Sequence, residues 1–268
     1  MKKSIILFIV IGIICVLGTV ANATPLKWSQ PPDMSWGFDI NSYVEPGYDP
    51  EYEPPSTQIV ADDWYCADGL PITDIHWWGS YNDWSGTESP GVISGFMLGV
   101  FDNEMESDPD EEDWYHPGEL LYFLFVGLSD VNEAYAGQQQ YAEHSVFSYY
   151  LDFSDKPLEQ EAGKTYWLAI AAIQLEESYY KWGWSTTDPD SRHLYDACYL
   201  SYNGESWEWM DIIYEEWVNE DHPYYEAGSV DMAFELTTIP EPASMILLGS
   251  LATGLFGVFG IRRKFARR

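Results

Sequence analysis

Between Gln58 and Thr237 the chain repeats one pattern: a short run of β-branched and aromatic residues, then a cluster of Gly, Pro, Asp, Asn or Ser. Nine runs follow in order: "QIVADDWYC", "PITDIHWWGSY", "GVISGFMLGVFD", "ELLYFLFVGL", "HSVFSYYLDF", "KTYWLAIAAIQL", "SYYKWGWST", "ESWEWMDIIY" and "SVDMAFELT". Residues of these types fit a pleated, half-buried surface, and the turn formers between them end each run. Several runs have a period of two, so Tyr180, Trp182 and Trp184 share a face, as do Trp207 and Trp209. Adjacent Trp77 and Trp78 must point to opposite sides. No segment carries a long apolar stripe at helical spacing. The pattern predicts an all-β fold, an antiparallel β-sandwich, with the jelly roll as one form of it. Residues 58–239 make up this domain. Residues 24–57, containing "QPPDMSWGFDI" and "EPGYDPEYEPP", lack periodicity and read as an extended Pro/Asp/Tyr-rich lead-in packed on the domain.

Charge limits what such a domain can touch. From Thr24 to Ile239 there are 43 carboxylates and five cations (Lys27, Lys156, Lys164, Lys181 and Arg192), a formal charge of −38. That surface repels nucleic acid, anionic lipid headgroups and anionic polysaccharides. High negative charge alone would suggest disorder, but disorder goes with few aromatics and this chain is 17% aromatic. The acidity therefore decorates a folded domain.

The two ends differ from everything between them. Lys2 and Lys3 precede an apolar stretch from Ile5 to Val20, followed by Ala21-Asn22-Ala23. This is the pattern of a secretory signal peptide, residues 1–23, cut by signal peptidase. At the other end Ala243–Ile261 is 19 residues without a charge, about 28 Å as a helix and enough for one transmembrane span. Arg262, Arg263, Lys264, Arg267 and Arg268 follow it directly. Clustered cations stay on the cytoplasmic side, which leaves the domain outside and held by its tail. Just before the helix, Pro240 and Pro242 flank Glu241; two residues without N–H donors keep that segment extended.

Pro240-Glu241-Pro242, an apolar helix and a basic tail within residues 240–268 resemble the three-part PEP-CTERM sorting signal. The resemblance implies recognition by an exosortase, a membrane transpeptidase, with inner-membrane anchoring before processing and a cell-surface or extracellular place afterwards. It also implies a Gram-negative-type bacterium that makes exopolysaccharide, often in biofilm. Upstream, "KWSQPPDMSWGFDI", "VADDWYCADGLPITDIHWWGSY", "LEQEAGKTYWLAIAA", "YKWGWST" and "DMAFELT" are similar to a group of uncharacterised exported bacterial domains that often carry this tag. That likeness covers most of Lys27 to Thr237 and brings no activity with it.

Few constellations in the domain suggest chemistry. Cys66 and Cys198 remain after signal cleavage, and in an oxidising compartment they are expected to pair as a structural disulfide. The stretch from Asp102 to Glu119 is dense in carboxylates, and Asp108, Asp110 and Asp113 could hold calcium weakly, although the spacing is not that of an EF-hand. Asp62, Asp63, Asp68, Asp74 and His76 lie close in sequence but lack a second histidine at metal-ligand spacing. No nucleophile motif, phosphate loop or zinc cysteine pair occurs, so no catalytic residue or further cofactor is assigned. Tryptophans are unusually many. Trp78, Trp182, Trp184, Trp207 and Trp209 are candidate platforms for sugar rings, whose C–H faces pack on π-systems while nearby carboxylates take hydroxyls.

These features together predict an exported, non-enzymatic surface or matrix protein with a structural or adhesive role, one that binds neutral exopolysaccharide. The alternatives are a glycoside hydrolase using two carboxylates across a cleft and a calcium-dependent surface assembly protein.

Overall fold

The computed structural model describes residues 25–45, 58–107, 113–175, 178–189, 194–202, 206–212 and 230–238. Among them are fourteen strands and no α-helix. The strands form two seven-stranded sheets packed as the β-sandwich the sequence predicts. The signal peptide, the sorting signal, Asp108 and Asp110 lie outside the described residues.

The first sheet is built on β5 (Asp74–Tyr81). One side of β5 pairs along nearly its whole length with β9 (Ser145–Asp152), and β8 (Asn132–Gln138) lies beyond. Its other side is shared. There β14 (Phe234–Thr237) takes Asp74 to Trp77 and β11 (Trp182–Ser185) takes Gly79 to Tyr81, with β1 (Leu26–Gln30) and β2 (Asp39–Asn41) outside them. The second sheet runs β13 (Trp207–Asp211), β12 (Cys198–Tyr202), β4 (Ile59–Cys66), β10 (Lys164–Gln174), β6 (Ile93–Glu106) and β7 (Trp114–Gly127). A short β3 (Tyr43–Val44) continues it, parallel to the end of β10. The segment read as a lead-in thus supplies strands to both sheets. The acidic stretch read as a loop is mostly the far end of the β6–β7 hairpin, in which Glu104 pairs with His116 and Glu106 with Trp114.

Between the sheets lies an aromatic core. Trp64, Trp77, Trp182, Trp184, Tyr149 and Phe96 are among its fully buried side chains. Trp77 stacks on Tyr149 at 5.5 Å and meets the edge of Phe96 at 5.1 Å. Each such burial stabilises the fold by about 1.5–3 kcal/mol. Gly79 makes room for this packing, because a Cβ there would sit 2.4 Å from the Trp182 ring. Acids are buried here too. Asp62 accepts from Gln30 Nε2 (3.2 Å) and from the Met232 backbone N–H (2.7 Å), linking the second sheet to the first. Burial first, then neighbouring Asp231 and Asp63, raises its carboxyl well above the ordinary value.

An antiparallel sheet in a sandwich usually turns a polar outer face to water, but the second sheet does not. In β10, Tyr166, Leu168, Ile170 and Ala172 face the inter-sheet core while Trp167, Ala169 and Ala171 join a second apolar cluster on the outer side. The cause is curvature. Trp209 of β13 meets Phe101 of β6 at 5.5 Å between ring centroids, yet four strand spacings, about 19 Å, would separate these strands in a flat sheet. Trp114 of β7 donates to the Asp211 carboxylate of β13 across five spacings. The sheet has coiled until its two ends touch, and Trp167 lies wholly buried in the hollow.

The same register corrects the expected disulfide. Cys198 pairs with Ala61, and Cys66 lies five residues further along β4, about 17 Å away where a bridge needs Cα atoms within about 7 Å. An odd separation also puts them on opposite faces, Cys66 in the inter-sheet core and Cys198 in the outer cluster. Both are buried free thiols.

Asp63, next to Asp62 and on the outer face, accepts the Tyr195 backbone N–H at 3.1 Å, while its second oxygen is buried without a partner. Burial pushes this carboxyl from its ordinary 3.8 up to about 8. Between those values the unfolded chain holds fewer protons than the folded one, so stability falls as pH rises. The melting temperature is expected to drop from about pH 5 to about pH 8, with a shallower slope in Asp63→Asn. A melting temperature that rises over this window, or a slope unchanged by the substitution, would contradict the assignment.

Candidate functional site

The coiling of the second sheet leaves an open groove where the far end of the β6–β7 hairpin approaches β13 and the segment before β12. Its cavity volume is about 1200 Å³. Five aromatic side chains line it: Trp114, Tyr115, Tyr195, Trp207 and Trp209. They are ordered by one another. Tyr195 stacks on Tyr115 at 4.0 Å and 11°, and lies over Trp167 at 6.3 Å and 14°, so a ladder of near-parallel rings runs from the buried cluster to the groove. The base of the ladder is fixed because the Trp167 indole N–H donates to Asn103 Oδ1 at 2.9 Å. Period two along β13 puts Trp207, Trp209 and Asp211 on one side of the strand, and Glu208 and Met210 reach the groove from the other.

Six carboxylates complete the lining: Glu104, Glu106, Asp113, Asp196, Glu208 and Asp211. Among the described residues no Lys or Arg joins them. Lys27, Lys164 and Lys181 instead pair elsewhere, with Asp68, Glu161 and Glu45. His116 packs against Trp114 with ring centroids 4.4 Å apart. Asp211 is held by the Trp114 indole N–H. Partial burial raises the Asp211 carboxyl above the ordinary value, opposed by that hydrogen bond and by His116.

The sequence candidates fall in different places. Trp207 and Trp209 line the groove. Trp182 and Trp184 do not, since both are fully buried between the sheets and no sugar can reach them. Trp78 lies on the outer face of the first sheet beside His76, opposite in direction to buried Trp77. Asp113 accepts from Ser107 Oγ at 2.7 Å, and among the described residues no three His, Cys, Asp or Glu side chains gather as a metal site. The acids near His76 disperse: Asp62 bridges the sheets, Asp68 pairs with Lys27, and Asp74 takes the Thr237 hydroxyl. Trp114, Tyr115, His116 and Tyr195 were not recognised from sequence. Only Trp114 and Tyr115 gave a signal there, as adjacent aromatics inside an acidic stretch.

If the Trp114 indole holds Asp211 across the coiled sheet, Trp114→Phe removes a hydrogen bond that stabilises the carboxylate. The Asp211 pKa is then expected to rise, as read from the pH dependence of its side-chain carbon chemical shift. An unchanged or lower value would show that the contact is not made.

Comparison with known proteins adds the context that geometry lacks. No curated protein matches the chain. Residues 238–264 match the PEP-CTERM protein-sorting motif, the mark of an exported protein that is anchored in the membrane and then processed by an exosortase. Residues 26–237, the span of the two sheets, match the family described as Domain of unknown function (DUF7901). The chain thus belongs to the DUF7901 family and bears a PEP-CTERM sorting motif at residues 238–264.

Proposed function

We propose that the exported domain is a non-enzymatic surface or matrix protein that holds an uncharged polysaccharide in the groove on its second sheet. The observation that carries this reading is the gathering of Trp114, Tyr115, Tyr195, Trp207 and Trp209 along one groove together with six carboxylates. The negative face of an aromatic ring attracts polarised sugar C–H groups, and carboxylates accept hydroxyl protons. A groove of about 1200 Å³ exceeds the roughly 300–1,000 Å³ usual for a single small molecule, which suits an oligomer. Anionic polymers are repelled by the −38 domain.

The domain would act as an adhesive or structural component where the sorting label delivers it, in contact with exopolysaccharide in a biofilm or matrix. Hydrolysis is the second reading, favoured by the raised Asp211 carboxyl among other acids in the same groove. A hydrolase needs an acid and a second carboxylate about 5–9.5 Å apart across the bond it cuts.

Soluble neutral hexasaccharides of glucose, galactose and mannose serve as probes, with binding followed by calorimetry and product release by chromatography. At least one is expected to bind and to remain intact, and Trp207→Ala is expected to weaken that binding about tenfold without shifting the melting temperature. Absence of binding by every hexasaccharide, or binding indifferent to Trp207, would remove the glycan reading. Shortened products would replace it with the hydrolase.

A further inference from the structure

The charge of the groove asks for more than a neutral ligand. Its carboxylates are interleaved with its rings. Across the β6–β7 hairpin Glu106 is paired with Trp114 and Glu104 with His116, and directly paired residues have Cβ atoms about 4.5–5.5 Å apart on one face. Glu104 and Glu106 are exposed, whereas Trp114 and His116 are half-buried. Each carboxylate therefore shares a face of the hairpin with a ring. Opposite them Trp207 and Trp209 present two further rings. Ring faces bordered by carboxylates attract a cation twice, through the ring quadrupole and through direct charge pairing. No Lys or Arg is among the described lining residues, so His116 is the one described lining group that can carry a positive charge against the six carboxylates. A neutral sugar would leave that field unused.

We propose that the groove takes a polysaccharide carrying free amines, such as a chain of 2-amino-2-deoxyhexose units, with ammonium groups seated between the Glu104 and Glu106 carboxylates and the neighbouring rings. This rests on the sugar-stacking groove of the glycan reading above and departs from it in the charge of the sugar, naming an aminated polymer in place of an uncharged one. The sugar ring stacks on the aromatic faces as a neutral unit would, and the amine supplies the discrimination. N-acetylation removes the charge, so the site separates the deacetylated polymer from the acetylated one and from plain glucans.

Calorimetric titration with the hexamer of 2-amino-2-deoxyglucose, its N-acetylated form and the glucose hexamer of the same linkage tests this at about pH 6, where the amines are protonated. The amine hexamer is expected to bind at least tenfold more tightly than either neutral hexamer, about 1.4 kcal/mol, and to lose much of that advantage in added salt. In the double variant Glu104→Gln, Glu106→Gln the advantage is expected to fall to about twofold while the neutral hexamers bind as before. Both side chains are exposed, and circular dichroism verifies that the variant folds. Equal affinity for charged and neutral hexamers would overturn the amine proposal and leave the glycan reading standing. A preference that survives the double variant would trace the attraction to the acidic surface at large and also overturn it. Failure of all three hexamers to bind would overturn both.

Discussion

Contact between the two ends of the second sheet, through Phe101 with Trp209 and Trp114 with Asp211, is the feature on which the rest of the molecule depends. A flat sheet of this size would face water on its outer side, and Trp167, Ala169 and Ala171 would be exposed there. Coiling turns that face into a hollow, so β10 is apolar on both faces and the domain has two clusters where a sandwich ordinarily has one. The groove is the open end of the hollow. The planes of two of its rings, Tyr195 and Tyr115, are fixed by the ladder that rises from Trp167.

The second constraint is charge. A domain at −38 resists compaction by self-repulsion, and the fold meets this in two ways. Many acids stay in water, and two of the buried ones, Asp62 between the sheets and Asp63 beneath Tyr195, have raised affinity for protons. A protonated acid at either place loses its charge and still accepts its backbone N–H, from Met232 across the sheets at Asp62 and from Tyr195 in the outer cluster at Asp63. Acidic surroundings therefore relieve both the surface repulsion and the buried carboxyls.

Much of the fold was legible because its local signals agreed. All nine runs read from the sequence are strands, and period two correctly separated Trp77 from Trp78. Of the five strands that were missed, β12, "CYLSY", has alternating aromatics and was overlooked, while the other four had weak local signals. β8, "NEAYAGQ", contains no β-branched residue, and β1 to β3 are short pieces in a Pro-rich segment; their pairing is decided by the neighbouring strands. The site was legible only in part. Trp207 and Trp209 stood out by spacing, but they meet Trp114 and Tyr115 only because the sheet coils, and curvature over five strands leaves no mark in any one of them. Trp182 and Trp184 carry the same spacing as Trp207 and Trp209 and differ by facing the other sheet. The cysteines failed as a pair for a related reason, since compartment chemistry says that thiols can join but only register says whether they meet.

A double-mutant cycle on Phe101 and Trp209, each replaced by Leu, measures most directly whether the sheet closes on itself. The two residues are 108 positions apart in sequence and on strands that a flat sheet would hold about 19 Å apart. Closure predicts a coupling of about 0.5–1.5 kcal/mol in the unfolding free energy. Substitutions that add to within about 0.3 kcal/mol would mean the rings do not touch, and the outer cluster and the groove would lose their basis.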